Sequence, residues 1–213
     1  RRVSFFEYDS TLSAPVLSFV QEGSAHTASL QALSGTGDVK VLGTSTGVEI
    51  HEASGTATFT GGAATSIDVS IDGTRVVVGT SSKMYVVHKS AGVWTQLGSD
   101  ITGNAPRVAI SKDGSKIFSN DLVLKSYEYV SGSWTTYLPD LTVSGITKAS
   151  TDGDIVAVGT NVYSKQSVTT NAEYTFNASG SSFSGTEQAV SGNGNVRVVA
   201  DKSVNSSTGQ ALI

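Results

Sequence analysis

Cysteine is absent from this chain of 213 residues, and proline occurs only three times. Without cysteine, neither disulfides nor thiolate metal sites can form, and the redox compartment cannot be read from the sequence. Pro15, Pro106 and Pro139 fall in expected connections or at a strand start, where a missing backbone donor is tolerated. Proline therefore does not argue against a fold of many short strands.

Charge is also sparse. Charged residues make up 15% of the chain, and the net charge is −4 with no basic cluster. Nucleic acid and anionic membrane surfaces require concentrated positive charge, so neither is expected as a partner. No apolar run approaches the roughly 20 residues that span a bilayer, so no direct membrane insertion is expected. The chain begins Arg1-Arg2 without methionine, which favours an excised segment whose targeting sequence lies upstream.

The chain does have an internal repeat. A Ser-x-x-Gly pattern recurs five times between short β-like runs, and its glycines are 36, 41, 39 and 41 residues apart. A period of about 40 residues with four strand-like runs per unit is the signature of a β-propeller. The five copies are Ser34–Gly37, Ser70–Gly73, Ser111–Gly114, Ser150–Gly153 and Ser191–Gly194.

The predicted fold is all-β: a five-bladed β-propeller of four-stranded antiparallel blades, in a single domain covering residues 1–213. The expected blades are residues 30–62, 66–103, 106–143, 146–185, and 187–213 together with 1–24. The second unit is the clearest, because Asp72-Gly73 supplies the positive-φ turn of a tight hairpin. The fourth unit is expected to contain Ile146–Ser150, Asp154–Thr160, Glu173–Asn177 and an outer strand near Phe183.

The fifth unit is split between the two ends of the chain. Gln188–Ser191 and Asn195–Ala200 resemble first and second strands, whereas Val3–Asp9 and Val16–Glu22 resemble third and fourth strands. If the N-terminal strands complete the C-terminal blade, the ring closes and exposed edges disappear. Compared with a unit of about 40 residues, roughly 16 residues are left over, as a long loop, a tail around Val204–Ile213, or a strand that pairs with another segment.

Aromatic residues recur on the outer half of each unit. Large rings suit the wedge between blades that widens away from the axis, so Trp94 and Trp134 are expected to be largely buried there. A stacking platform for sugars is the alternative interpretation.

Polar residues recur in the connections between second and third strands. Five such loops around one mouth of a propeller could hydrogen-bond a glycan or a partner loop. The alternative is that these residues only form turns. The candidate ligand-binding residues are Thr44, Ser45, Thr80, Ser81, Asn120, Asp121, Thr160 and Asn161.

Catalytic constellations are not evident. The histidines His26, His51 and His88 are interpreted as surface residues, and no Gly-x-Ser-x-Gly elbow is present. A glycosidase needs two carboxylates across a channel mouth, and no spacing selects a pair. The available carboxylates are those of Asp68, Asp121, Glu187 and Asp201. No catalytic residue, metal site or cofactor is predicted.

Two sequons favour an extracellular location. Asn177-Ala178-Ser179 and Asn205-Ser206-Ser207 fit the N-glycosylation pattern and fall at expected loops. The alternative is chance occurrence in a chain rich in serine and threonine.

One segment carries a family resemblance. Val93-Trp94-Thr95-Gln96-Leu97-Gly98, followed by Ser111-Lys112-Asp113-Gly114, resembles repeats of algal, protist and giant-virus surface proteins, which are similar to the FG-GAP units of integrin α propellers. The resemblance implies extracellular adhesion, recognition or scaffolding without catalysis. FG-GAP units often hold calcium, but the Asp-Gly turns here offer too few carboxylates for its six or more oxygen ligands, so they are interpreted as turns.

Three functions are carried forward. The first is a non-catalytic extracellular structural or recognition unit of a filament, cell coat or virion exterior, with other protein subunits or glycans as partners. The second is a lectin that uses the polar connections. The third is a degenerate glycoside hydrolase.

Overall fold

The computed structural model describes residues 2–8, 19–28, 30–105, 107–143, 145, 147–159, 161–168, 173–178, 187–190 and 197–200. Every regular element in these ranges is a β-strand. No helix in them is long and apolar enough to cross a membrane. The strands of the first half are β1 (Arg2–Tyr8), β2 (Phe19–Thr27), β3 (Leu30–Leu33), β4 (Lys40–Gly43), β5 (Gly47–Glu52), β6 (Gly55–Thr60), β7 (Ser66–Val69), β8 (Arg75–Gly79), β9 (Lys83–Ser90), β10 (Val93–Gln96) and β11 (Ile101–Thr102). Those of the second half are β12 (Arg107–Ile110), β13 (Lys116–Asn120), β14 (Leu124–Val130), β15 (Ser133–Thr136), β16 (Thr147–Ala149), β17 (Ile155–Val158), β18 (Asn161–Val168), β19 (Glu173–Ala178), β20 (Glu187–Val190) and β21 (Arg197–Ala200).

The strands form antiparallel sheets in chain order. Four larger sheets follow one another as β3 to β6, β7 to β11, β12 to β15 and β16 to β19, and in each the strands pair with their neighbours in sequence. We call these the first to fourth sheets. In the second sheet, β11 pairs with the same strand, β9, as β10 does. The pairs β1-β2 and β20-β21 form two further sheets.

The core lies between successive sheets, because each middle strand is buried on both faces. Along β8, Val76 and Val78 pack into the cluster shared with the first sheet, whereas Val77 packs into the cluster shared with the third. Ile117 and Phe118 divide in the same way between the second and fourth sheets. Burial on both faces explains why these strands are continuous apolar runs instead of alternating ones.

The Ser-x-x-Gly repeat forms a tight turn between the first and second strands of each of the four larger sheets. In the third sheet the backbone N–H of Gly114 donates to the Ser111 carbonyl at 2.8 Å, and the Ser111 Oγ accepts the Lys116 N–H at 2.9 Å. The same two hydrogen bonds occur at Ser34, Ser70 and Ser150. These serines are buried, so water cannot pair with the backbone N–H five residues later, and the serine hydroxyl accepts its hydrogen bond instead.

These turns also join successive sheets. The N–H of Gly35 donates to the Ile71 carbonyl at 2.7 Å, and the Ile71 N–H donates to the Lys112 carbonyl at 2.8 Å. Lys112 in turn donates to the Ser150 carbonyl at 3.2 Å. A backbone hydrogen-bond chain thus runs through the first four turns of the repeat.

The fourth sheet differs from the sequence expectation. Asn161–Val168 is its third strand, although the sequence predicts a connection there, and Glu173–Ala178, in which Glu173–Asn177 is predicted as the third strand, is its outer strand. The strand was missed because polar and β-branched residues are mixed in it and only residues 159 and 160 separate it from β17. The expected strand near Phe183 lies outside the described residues.

The all-β prediction is confirmed, and the four larger sheets lie within the ranges expected for the first four blades. Among the described strands, β1-β2 and β20-β21 are separate sheets with no pairing between them. The five-bladed ring and its closure by the N-terminal strands therefore stay predictions.

Candidate functional site

The connections between second and third strands define one side of the sheets, which we call the connection face. It comprises residues 44–47 of the first sheet, 80–83 of the second and 121–123 of the third, as bounded by the flanking strand pairs. These connections contain six of the eight residues predicted to bind a ligand, counting Asn120 at the edge of the third.

Thr44 and Thr80 hold their own connections together. The Thr44 Oγ1 accepts the Gly47 N–H at 3.0 Å, and the Thr80 Oγ1 accepts the Lys83 N–H at 3.1 Å. Thr80 also donates its hydroxyl to the Lys83 carbonyl and is buried. Local bonds of this kind are how threonine stabilises turns, so these hydroxyls are already engaged.

Asn120 anchors a neighbouring segment. Its side chain is fully buried, its Nδ2 donates to the Val143 carbonyl at 2.9 Å, and its Oδ1 accepts the Gly145 N–H at 3.2 Å. Both functional groups of the amide are therefore used to position the connection that leads into the fourth sheet.

The other predicted residues are placed differently. Ser45 and Ser81 are exposed at the tips of their connections, and Asp121 is half-buried. Asn161 is the first residue of β18 and pairs with Val158, so it begins a strand instead of lying in a loop. Thr160 lies outside the described residues.

A cleft opens on the connection face between the second and third sheets. It has a volume of about 250 Å³, and we call it the inter-sheet cleft. One wall includes Ile101 and Asn104, and the other includes Asp121, Lys125 and Tyr127. It brings Asp121 together with residues that no sequence argument had singled out.

Asp121 is held in place across this cleft. The Asn104 Nδ2 donates to the Asp121 Oδ2 at 2.9 Å. This bond joins the segment that follows β11 to the connection between β13 and β14. Among the described residues only one carboxylate oxygen of Asp121 is engaged, so its Oδ1 and the side-chain oxygen of Asn104 are available as acceptors. Leu122 is exposed at 72% beside this pair.

Tyr127 and Lys125 complete the polar lining. Burial, together with the nearby Asp140 charge, raises the pKa of Tyr127, so its phenol stays protonated at neutral pH. Lys125 is exposed, and no described residue is its ion-pair partner. The cleft thus contains hydroxyl and ammonium donors, carboxylate and amide acceptors, and apolar side chains.

A second cavity of about 420 Å³ lies on the opposite side, between the first and second sheets. Its most buried feature is an ion pair in which the Lys89 Nζ donates to both oxygens of Glu52, at 2.9 and 2.7 Å. Burial alone would raise the pKa of Glu52, but the hydrogen bonds from Lys89 and the Lys89 charge lower it overall. His51, also in the lining, contacts Glu49 and Thr56. The Lys89–Glu52 ion pair thus ties the first and second sheets together, and His51 pairs with Glu49 within the first sheet.

The carboxylates considered for glycoside hydrolysis have structural contacts where they are described. Asp68 is buried at 7% exposure and accepts the Ile110 N–H at 3.1 Å, which satisfies a donor on the edge of β12. The side chain of Glu187 and all of Asp201 lie outside what is described. Within the described part of the chain, no group of three or more histidine, aspartate or glutamate side chains could hold a metal ion.

Of the two sequons, Asn177 lies in the edge strand β19, whose backbone pairs it with Ser164, and Asn205 lies outside the described residues. β19 ends at Ala178, one residue beyond Asn177.

No family model and no curated protein matches this chain. Among solved structures, a functionally unknown protein from Desulfotomaculum acetoxidans DSM 771 is similar with a TM-score of 0.63 and 14% identity, over 93% of this chain and 73% of that one. Hydrazine synthase from Kuenenia stuttgartiensis has a TM-score of 0.45 and 14% identity, over 70% of this chain and 49% of that one. The first likeness shows a shared fold only, and the second is too weak to support an argument.

Proposed function

We propose that this chain is a five-bladed β-propeller that serves as a non-catalytic, extracellular structural or recognition unit of a surface assembly. The observation that carries the proposal is the use made of the repeated polar residues. Ser70, Ser111 and Ser150 hold their own turns, and Lys112 links its turn to the next one. The hydrogen bonds of the repeat therefore hold each turn in shape and link it to the next turn, which stiffens the row of sheets.

The ring itself is supported by how the first strands are arranged. β3 contacts β7, β7 contacts β12, β12 contacts β16, and β16 contacts β20, so the first strand of each sheet lies beside that of the next. A row of twisted sheets stacked in this way, with about 40 residues per unit, is the arrangement from which propellers are built.

A second candidate function is glycan binding by the connection face. It is favoured by the inter-sheet cleft, where Asp121 is a member of the predicted ligand set and keeps one carboxylate oxygen available. Ser45 and Ser81 are exposed on the same face.

Two measurements test the main proposal. Incubation of the purified chain with a panel of polysaccharides, followed by a reducing-sugar assay, is expected to show no turnover. Hydrolysis at enzymatic rates would refute the non-catalytic assignment. Intact-mass analysis of natively sourced protein before and after enzymatic deglycosylation is expected to show a mass loss at Asn177 or Asn205. An unchanged mass would remove the main support for the extracellular location.

A further inference from the structure

We infer that the inter-sheet cleft between the second and third sheets is a binding site for a single neutral sugar ring, with the Asp121–Asn104 pair as its hydrogen-bonding centre. This inference rests on the proposed recognition role and names the ligand class and the place on the connection face where it binds.

The first argument is that the repeat breaks down at this place. The first and second sheets connect their middle strands through residues 44–47 and 80–83, each closed by a threonine hydroxyl. In the third sheet, Asn120 pairs with Leu124, and the connection, residues 121–123, contains no threonine. No threonine hydroxyl closes this connection, and its residues, Asp121-Leu122-Val123, line the cleft instead.

The second argument is the orientation of the acceptors. A carboxylate alone on an exposed loop is free to rotate, but the 2.9 Å bond from the Asn104 Nδ2 holds Asp121 from the opposite wall. The pair keeps two further acceptor oxygens, Oδ1 of Asp121 and Oδ1 of Asn104. Hydroxyls of a sugar ring can donate to them, and an acceptor that is already held in place binds at a lower entropic cost.

The third argument is the mixed lining. A sugar ring has hydroxyls at its edge and C–H groups on its faces, so its site needs polar groups and apolar surface together. Tyr127 and Ile101 supply the surface inside the cleft, and Leu122 supplies it at the mouth, where a large apolar side chain is 72% exposed. Lys125 is a donor for a ring or hydroxyl oxygen. The volume of about 250 Å³ suits one ring, with the chain of a longer glycan leaving through the open side.

The charges favour a neutral sugar over the other ligands that such a cleft could take. Asp121 would repel an acidic sugar, and Lys125 would repel the basic side chain of a protein partner. One carboxylate and one ammonium leave the lining without a net charge, which favours an uncharged ligand that binds through hydroxyl groups.

The experiment uses the full chain labelled with ¹⁵N and three probes: the methyl glycosides of glucose, galactose and mannose. Each is added to about 100 mM, because a ligand of one ring is expected to bind in the millimolar range. At least one probe is expected to shift the Asn104 side-chain amide signal and the backbone signals of Asp121 and Leu122. Asp121→Ala should weaken that binding about tenfold, because a charge-assisted acceptor is lost. Leu122→Ser, at an exposed site that does not affect folding, should weaken it by a smaller factor of about two to five.

Two control variants make the result specific. Asp38→Ala removes an exposed carboxylate from a turn of the first sheet and should leave the affinity unchanged. Ser133→Ala removes an exposed hydroxyl of β15, outside the lining of the cleft, and should also have no effect.

Three outcomes would overturn the inference. The first is the absence of shifts at the cleft with all three probes. The second is binding that Asp121→Ala leaves intact, which would move any glycan site elsewhere on the connection face. The third is binding of methyl glucuronide alone, which would contradict the neutral ligand class. None of these bears on whether the chain is a non-catalytic extracellular propeller, which the hydrolysis and mass measurements test separately.

Discussion

Gly73 and Gly92 have the same left-handed backbone but different surroundings. Their φ angles are 71° and 82°, and a Cβ at Gly92 would meet nothing within 4 Å. A Cβ at Gly73 would lie 2.7 Å from the Val39 Cγ2 and 3.1 Å from the Ser34 Cβ, both in the first sheet. Gly73 is therefore needed for its own turn and also because the turn of the first sheet packs closely against it.

This difference gives a prediction at the residue scale. Gly92→Ala should lower the free energy of unfolding by about 1–2 kcal/mol, the cost of a left-handed alanine. Gly73→Ala should cost this amount and a further 1–3 kcal/mol, approximately, for overpacking against Val39. Urea denaturation of both variants measures the difference. Equal losses would show that the sheets can separate at this turn without cost.

Sequence reasoning at this scale succeeded where the cause was local. The Ser-x-x-Gly turns were predictable because Asp72-Gly73 and its equivalents form turns with residues that are neighbours in the chain. Asn104 and Tyr127 were not predictable as site residues, because they reach Asp121 and its cleft only after two sheets have packed together. Asn120 was interpreted as a ligand-binding residue from its position in a polar connection, but it is buried and bonds to Val143 and Gly145.

At the scale of the element, the outer strands of the second and third sheets attach them to the sheet before. Trp134 of β15 has most of its surface buried, as expected. Its Nε1 donates to the Leu97 carbonyl of the second sheet at 2.8 Å, and its ring lies 5.1 Å from that of Tyr129. Trp94 likewise packs against the core shared by the first and second sheets. The tryptophans thus lie at the junctions between sheets, as the sequence indicated.

Two substitutions of Trp134 should therefore separate the contribution of its hydrogen bond from that of its packing. Trp134→Phe removes the hydrogen bond to Leu97 and should cost about 1 kcal/mol. Trp134→Ala also removes packing and should cost about 2–3 kcal/mol, below the range for fully buried rings because part of the side chain remains accessible to solvent. Val93→Ala, at a side chain that is 61% exposed, serves as the control and should change stability by less than about 0.5 kcal/mol. Thermal denaturation measures all three; no effect of Trp134→Ala would place the ring outside the junction.

The aspartates of the repeated turns give a prediction for pH. The pKa values of Asp72 and Asp113 are lowered because hydrogen bonds from Ser70 and Ser111, and from the backbone, outweigh burial, which opposes ionisation. The pKa of Asp152 is lowered mainly by the Asp154 N–H. A carboxyl group whose pKa is lower in the folded state than in the unfolded state binds fewer protons when folded. Its stabilising effect is therefore present above the unfolded pKa, about 3.9, and is lost as pH falls through the folded pKa.

Stability should consequently decrease between about pH 5 and pH 3, within the range where aspartates titrate. A triple variant, Asp72→Asn, Asp113→Asn and Asp152→Asn, keeps an oxygen acceptor in each turn but cannot titrate, so its stability should vary less over this range. Denaturant titrations at several pH values measure the two slopes. A residual slope is expected from Glu52 and Asp100, whose pKa values are also lowered. Identical slopes for the variant and the parent would show that the turns do not contribute.

At the scale of the whole molecule, the four larger sheets were predictable because strand, turn and strand follow one another locally, and their common period indicates a common structure. The relation between the two ends of the chain was predicted only from the requirement that a ring should leave no open edge. That requirement concerns segments about 180 residues apart, and local patterns carry no information on their pairing. β1 and β2 pair with each other in an antiparallel hairpin, as third and fourth strands of a blade would.

Deletion of residues 1–22 removes β1 and the first part of β2 and tests whether this hairpin closes the ring. If β1 and β2 complete the blade of β20 and β21, the deletion leaves that blade with open edges. The variant should then be poorly folded even when dilute, with a lost cooperative thermal transition and aggregation in light scattering. Deletion of residues 204–213, the stretch expected to be surplus, is the control and should preserve the transition. A peptide of residues 1–28 added to the shortened chain should restore it, because strand pairing can be supplied in trans. A stable, soluble monomer after the N-terminal deletion would contradict closure and would leave the hairpin free to pair with another copy of the chain.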